Sequence, residues 1–167
     1  MTTLLALAEH IEQSRIGVAI AESRFAFAVI EGIHLIGLSL SVGLIFLTDL
    51  RLMNVLFRQI PVNDVLAHLR PYALAGFALV FLSGGLLFWA EAVTLLESPA
   101  FPLKMLFMAL AGINALYFEL RLARHPAVSE SHGPLPRRVI YAGAASLTLW
   151  TLVVICGRLI PYLPRWT

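Results

Sequence analysis

The sequence predicts an all-α integral membrane protein, a bundle of four transmembrane helices preceded by an amphipathic helix at the membrane interface. Three observations carry that expectation. Hydrophobic residues make up 59% of the 167 and charged residues only 13%, with a mean hydropathy of +0.85, whereas soluble domains are about half apolar and a quarter charged. The apolar residues gather into four runs, each near the roughly 20 residues needed to cross a hydrocarbon core. Prolines and charges stand mostly at the ends of those runs. Four spans leave only short connections in a chain of this length, so residues 1–167 read as a single transmembrane domain.

In the first segment Leu4, Leu7, Ala8, Ile11, Arg15 and Val18 recur at helical spacing, opposite a polar face of Glu9, His10, Glu12 and Gln13. That pattern predicts one amphipathic helix lying on the bilayer surface. The segment lacks a basic start and carries Glu9, Glu12 and Glu22, so it is expected to stay on the mature chain rather than act as a signal peptide. Span one is placed at about 25–47 and ends in Asp49-Leu50-Arg51. Pro61 and Pro71 bracket a polar connection, which places span two at about 72–89. Pro99 and Pro102 open span three, at about 101–120. Residues 121–138 hold His125, Pro126, His132, Gly133, Pro134 and Pro136, which is loop chemistry rather than a fifth helix. Span four is placed at about 139–160 and begins with the small run Ala142-Gly143-Ala144-Ala145-Ser146. Small residues on every span suit close helix approach, because lipid supplies no hydrophobic drive between helices. They also suit room for a flat cofactor, and of the two readings close packing is preferred.

Charge sets orientation and excludes some functions. The connections after spans one and three carry Arg51, Arg58, Arg70, Arg121, Arg124, Arg137 and Arg138, seven in all. The other side has five: Arg15, Arg24, Lys104, Arg158 and Arg165. The positive-inside bias therefore puts both termini in the periplasm. The net charge of +2 is spread over helix ends instead of forming a stripe, which argues against nucleic acid as a partner. A single cysteine, Cys156, excludes an intramolecular disulfide and a Cys-x-x-Cys-His haem attachment, and reads as a buried, inert thiol.

Chemistry is expected from the polar residues inside the spans. Glu31 and His34 are three apart, hence on one face of span one, about 9 and 14 Å along it. Lys104 and Met108 stand about 5 and 11 Å into span three. An ionisable group at such depth costs at least about 2 to 3 kcal/mol unless paired. One reading has Glu31 and Lys104 neutralise each other while His34 bonds a carbonyl, a packing device without chemistry. The other makes His34 the axial ligand of a b-type haem, with Lys104 or an arginine answering a propionate, Glu31 orienting the ring and Met108 matching it in depth. Glu31-x-x-His34 is half of a di-iron pattern, but the second Glu-x-x-His is missing. Copper or zinc on His34 and Glu31 has no visible third ligand. His125 and His132 read as a solvated loop. Asn114 is expected to bond across helices, or else to line a cavity. Asp49, Arg51 and Arg70 are expected to form an interfacial ion-pair network.

The stretches Ile30-Glu31-Gly32-Ile33-His34-Leu35-Ile36-Gly37, Thr48-Asp49-Leu50-Arg51-Leu52 and Pro99-Ala100-Phe101-Pro102-Leu103-Lys104-Met105, with Ala111-Gly112-Ile113-Asn114, resemble an uncharacterised family of small bacterial four-helix membrane proteins. That family is distantly similar to the membrane domain of copper-resistance protein D and to the HemJ-type protoporphyrinogen oxidase. The resemblance implies a bacterial inner-membrane location, His34 as a haem-linked histidine and Lys104 as a catalytically important lysine. Asn114 stands where the HemJ-type pattern has another histidine, which argues against the oxidase reaction and leaves haem binding open. The expectation is a haem b-binding protein of redox or electron-transfer type. The alternatives are a cofactor-free accessory subunit, packed against a larger membrane complex or in a homo-oligomer, and a copper-handling protein.

Overall fold

Residues 2–131 and 134–164 are described by a computed structural model, and they fold as helices joined by short turns. The elements are α1 (Thr2–Glu12), α2 (Arg15–Glu22), α3 (Arg24–Leu52), α4 (Val62–Ala90), α5 (Ala92–Glu97), α6 (Ala100–Tyr117, continued by a π turn over Phe118–Leu122), α7 (Pro126–Ser129) and α8 (Arg137–Leu159). α3, α4, α6 with its π turn, and α8 are long and apolar enough to cross a membrane, and the chain is a multi-pass membrane protein. α3 and α4, at 29 residues each, are about 43 Å long and overrun the roughly 30 Å hydrocarbon core. Their ends therefore reach the interface on both sides. The end of the bundle that carries α1, α2 and α5 is called the terminal end here, and the other the loop end.

α4 begins ten residues earlier than expected, and Pro71 lies inside it. Proline forfeits one backbone hydrogen bond and ordinarily breaks a helix. Here the turns before it are held by burial: Val62 is 1% exposed, in a cluster with Leu52, Phe118, Val128, Leu135, Val139 and Ala142. Packing outweighs the local cost, and Pro71 itself is exposed.

α3 lies along α4, α8 packs on α3, and α6 packs on α8. The main contacts thus run in the order α4–α3–α8–α6; α4 and α6 meet through the stacked rings of Phe88 and Phe101 at the terminal end and leave a gap between them in the loop-end half. The α3–α4 crossing depends on missing side chains. A Cβ on Gly76 would stand 2.7 Å from Ser41 N and 3.0 Å from Gly37 O, and one on Gly37 would stand 2.9 Å from Leu79 Cβ. Gly143 lets α8 approach Leu52 and Asp49 in the same way. Gly32, Gly43, Gly85 and Gly112 have nothing nearby, so close packing explains some of the small residues and leaves others unexplained.

Three expectations are corrected. The N-terminal segment is two helices rather than one: the Ser14 hydroxyl accepts from Gly17 N at 3.3 Å and caps a fresh helix. The break also ties the segment to the bundle, through Trp89 Nε1 donating to Ser14 Oγ at 2.8 Å and Val93 N donating to Glu12 Oε2 at 2.9 Å. Leu4, Leu7, Ile16 and Val18 stay exposed on its outer side. Second, part of the region read as loop is helical, in the end of the π turn and in α7; His132 lies outside the described residues. Third, Asp49, Arg51 and Arg70 do not form one ion-pair network. Arg51 is fully buried and donates from Nε to Ile60 O and from Nη2 to Ser131 O, both at 2.9 Å, so it clamps both loop-end connections. Arg70 pairs with Glu119 at 2.6 Å.

Candidate functional site

His34 sits on the face of α3 turned toward α4, near the terminal end. Its Nδ1 is 3.0 Å from Ser83 Oγ, and Ser83 is 4% exposed. The Ser83 hydroxyl proton is directed to the Leu79 carbonyl one turn back on α4. A hydroxyl has one proton to give, so with that proton on Leu79 the Ser83 oxygen accepts from the ring. We assign the tautomer on this basis: Nδ1 carries the proton and Nε2 the lone pair. The sequence predicts Glu31 or a nearby carbonyl as acceptor of a ring proton; Ser83 Oγ stands at Nδ1 and the Val80 backbone carbonyl is a second acceptor at the ring, while Glu31 is turned away. Gly84 makes room, since a Cβ there would stand 3.1 Å from His34 Cε1.

Lys104 lies across from this pair on the α6–α8 contact. Its stem runs over the bare backbone of Gly157, where a Cβ would be 3.4 Å from Nζ. Lys104 and Glu31 are the charged groups that act electrostatically on the His34 ring. No ion pair joins Lys104 to Glu31. Glu31 is exposed on the outside of α3, while Lys104 is half-buried. The reading in which Glu31 and Lys104 neutralise each other thus has no contact behind it: Glu31 and His34, three residues apart, are separated by about 60° around the helix, and α4 covers His34 while leaving Glu31 open.

Met108 is packed deeper, against Val42, Ala111, Trp150 and Val153. It lines a cleft of about 360 Å³ in the loop-end half, between α4 and α6. Cys156 is buried and free, as expected. Among the described residues no three of His, Cys, Asp and Glu gather closely enough to hold a metal ion between them, so no copper or zinc site with three such protein ligands is assembled.

The structure adds one group that the sequence did not single out, Ser83, and gives Asp49 and Asn114 a shared setting. Ser83 is separated from His34 by 49 residues, and its only sequence signal was its place in the small run Ser83-Gly84-Gly85. Asp49 is 4% exposed and faces the cleft with its Oδ2 unpartnered, beside Ser146. Asn114 donates to the Ala142 carbonyl at 3.0 Å, bonding across helices as expected, and also lines the cleft.

Comparison with curated proteins and with solved structures finds no match. Residues 8–163, nearly the whole chain, match the family of unknown function DUF6644, and the protein belongs to that family.

Proposed function

We propose that this is a bacterial inner-membrane haem b-binding protein of redox or electron-transfer type, with both termini periplasmic and the haem iron held by His34. The observation that carries the reading is the relay from His34 Nδ1 to Ser83 Oγ to the Leu79 carbonyl. A metal-ligating histidine almost always donates its other ring proton to a neighbouring acceptor, which fixes the tautomer and raises ligand basicity. A histidine that only packs helices also needs a hydrogen bond; the haem reading adds a use for the Nε2 lone pair that this tautomer leaves.

The donor set fits one axial position. Lys104, whose ammonium has no ion-pair or hydrogen-bond partner among the described residues, would answer a propionate. Met108 belongs to the deeper cluster, so among the described residues His34 would be the one strong ligand to the iron, and a high-spin spectrum is expected. Haem held there would supply one-electron chemistry; the chain's own part is to fix the imidazole and place a positive charge beside it. The distant resemblance to the HemJ-type oxidase, which implies a haem-linked His34, supports the same reading.

A second reading, packing against a larger membrane complex or a second copy, is favoured by the exposed Glu31 on α3. A carboxylate turned outward at bilayer depth is stabilised by a donor from another chain. The visible spectrum decides between them. Protein purified from cells supplied with haem should show a Soret band with high-spin features, whereas colourless protein that also fails to take up added haem overturns the haem reading and leaves the packing role.

A further inference from the structure

The cleft between α4 and α6 is separate from the His34 site and has its own chemistry. It is floored by α3 and α8, the two spans that lie between α4 and α6 in the series, and it occupies the loop-end half of the bundle. Its walls are largely apolar. Phe77 and Trp150 face each other there with centroids 5.1 Å apart. At its base is one buried acid: Asp49 is 4% exposed, and its Oδ2 has no partner. At its mouth the Arg70–Glu119 pair bridges α4 and the π turn. The π turn that ends α6 sets Phe118 and Glu119 on the cleft wall.

These features restrict the occupant. A lipid acyl chain would fill the apolar walls and leave Asp49 Oδ2 unpartnered, which is costly for a buried polar atom. A small cation would find Asp49 as the one carboxylate at the base, with no group of three His, Cys, Asp or Glu among the described residues to hold it, and would leave the apolar walls unfilled. A flat ring bearing a hydroxyl group satisfies both. At about 360 Å³ the cleft is at the small end of ligand pockets, the size of a one- or two-ring head group. We propose that it binds a membrane-soluble quinol, the ring lying against Phe77 and Trp150, one hydroxyl donating to Asp49, and the tail leaving between α4 and α6 into the lipid. The proposal concerns binding alone and does not depend on haem at His34.

The test uses the full chain in lipid nanodiscs. Of its three tryptophans, Trp89 and Trp166 are replaced by Phe, so that emission reports on Trp150. Titration with a short-chain benzoquinol kept reduced under argon should change that emission saturably. The dimethyl ether of the same quinol has the ring but no hydroxyl protons and should bind at least tenfold more weakly, as should the quinol to Asp49→Leu. Ala115→Phe, which fills the cleft from α6, should abolish saturation, and Gly43→Ala, outside the cleft and with open space around it, should bind as wild type. Equal, saturable binding of quinol and ether to wild-type protein overturns the proposal even if Asp49→Leu does not fold. So does a non-saturating response that survives Ala115→Phe, or displacement of the quinol by equimolar dioleoylglycerol.

Discussion

Gly76→Ala should loosen the α3–α4 pair on which the His34 site is built. The added methyl would stand 2.7 Å from Ser41 N and 3.0 Å from Gly37 O, both backbone atoms that cannot swing aside. Overpacking of this kind costs about 1 to 3 kcal/mol, and with backbone on both sides the upper value applies. Separating the helices also weakens the 3.0 Å His34–Ser83 hydrogen bond, seven residues along α4, worth about 1 kcal/mol. Against this, alanine is a better helix former than glycine by about 1 kcal/mol. The net loss is about 3 kcal/mol. Gly43→Ala and Gly85→Ala share the propensity gain and meet nothing within 4 Å, so they should be neutral or stabilised by up to about 1 kcal/mol. Reversible unfolding in bicelles, followed by circular dichroism, measures all three. A Gly76→Ala protein as stable as Gly43→Ala would refute the reasoning, because the closeness of the crossing is its whole basis.

Other perturbations separate the remaining parts of the account. Arg51→Met removes both hydrogen bonds to the Ile60 and Ser131 carbonyls; it should cost about 3 kcal/mol and speed proteolysis in the 53–61 connection, and an unchanged cleavage rate would count against the clamp. Glu31→Gln and Lys104→Met should be additive in a double-mutant cycle, since the two side chains form no ion pair; a coupling above about 1 kcal/mol would restore the pair expected from the sequence. A reporter fused after Thr167 should be active in the periplasm, and activity confined to the cytoplasm would reverse the proposed orientation.

The spans were legible because lipid imposes a length and a composition that few other constraints imitate. Even so, α4 was read ten residues short, because Pro71 is a strong local signal and the burial of Val62 and Val65 that overrides it is tertiary. His34 stood out as an imidazole deep in an apolar run, but its partner did not: Ser83 is one small hydroxyl among several, and only the antiparallel register of α3 and α4 brings it to Nδ1. Glu31 was misjudged because helical periodicity gives a shared face and says nothing about where the neighbouring helix stops covering it. The cleft was illegible for a related reason. Asp49, Ser146 and Asn114 come from three spans, and their meeting depends on α4 and α6 standing apart. Arg51 reads from the sequence as a member of an interfacial ion-pair network, since nothing local marks an arginine whose acceptors are two distant carbonyls.

The central claim, that His34 holds haem iron, is tested most directly by haem retention in single histidine variants. His34→Ala, purified beside wild type from haem-supplied cells, should lose the Soret band while keeping its helical circular dichroism and its elution as folded protein. His68→Ala and His125→Ala should keep the band, because His68 is exposed with its Nδ1 at the Asp64 carbonyl and His125 is exposed in the connection before α7. Haem content unchanged in His34→Ala, or lost equally in all three variants, would contradict the account.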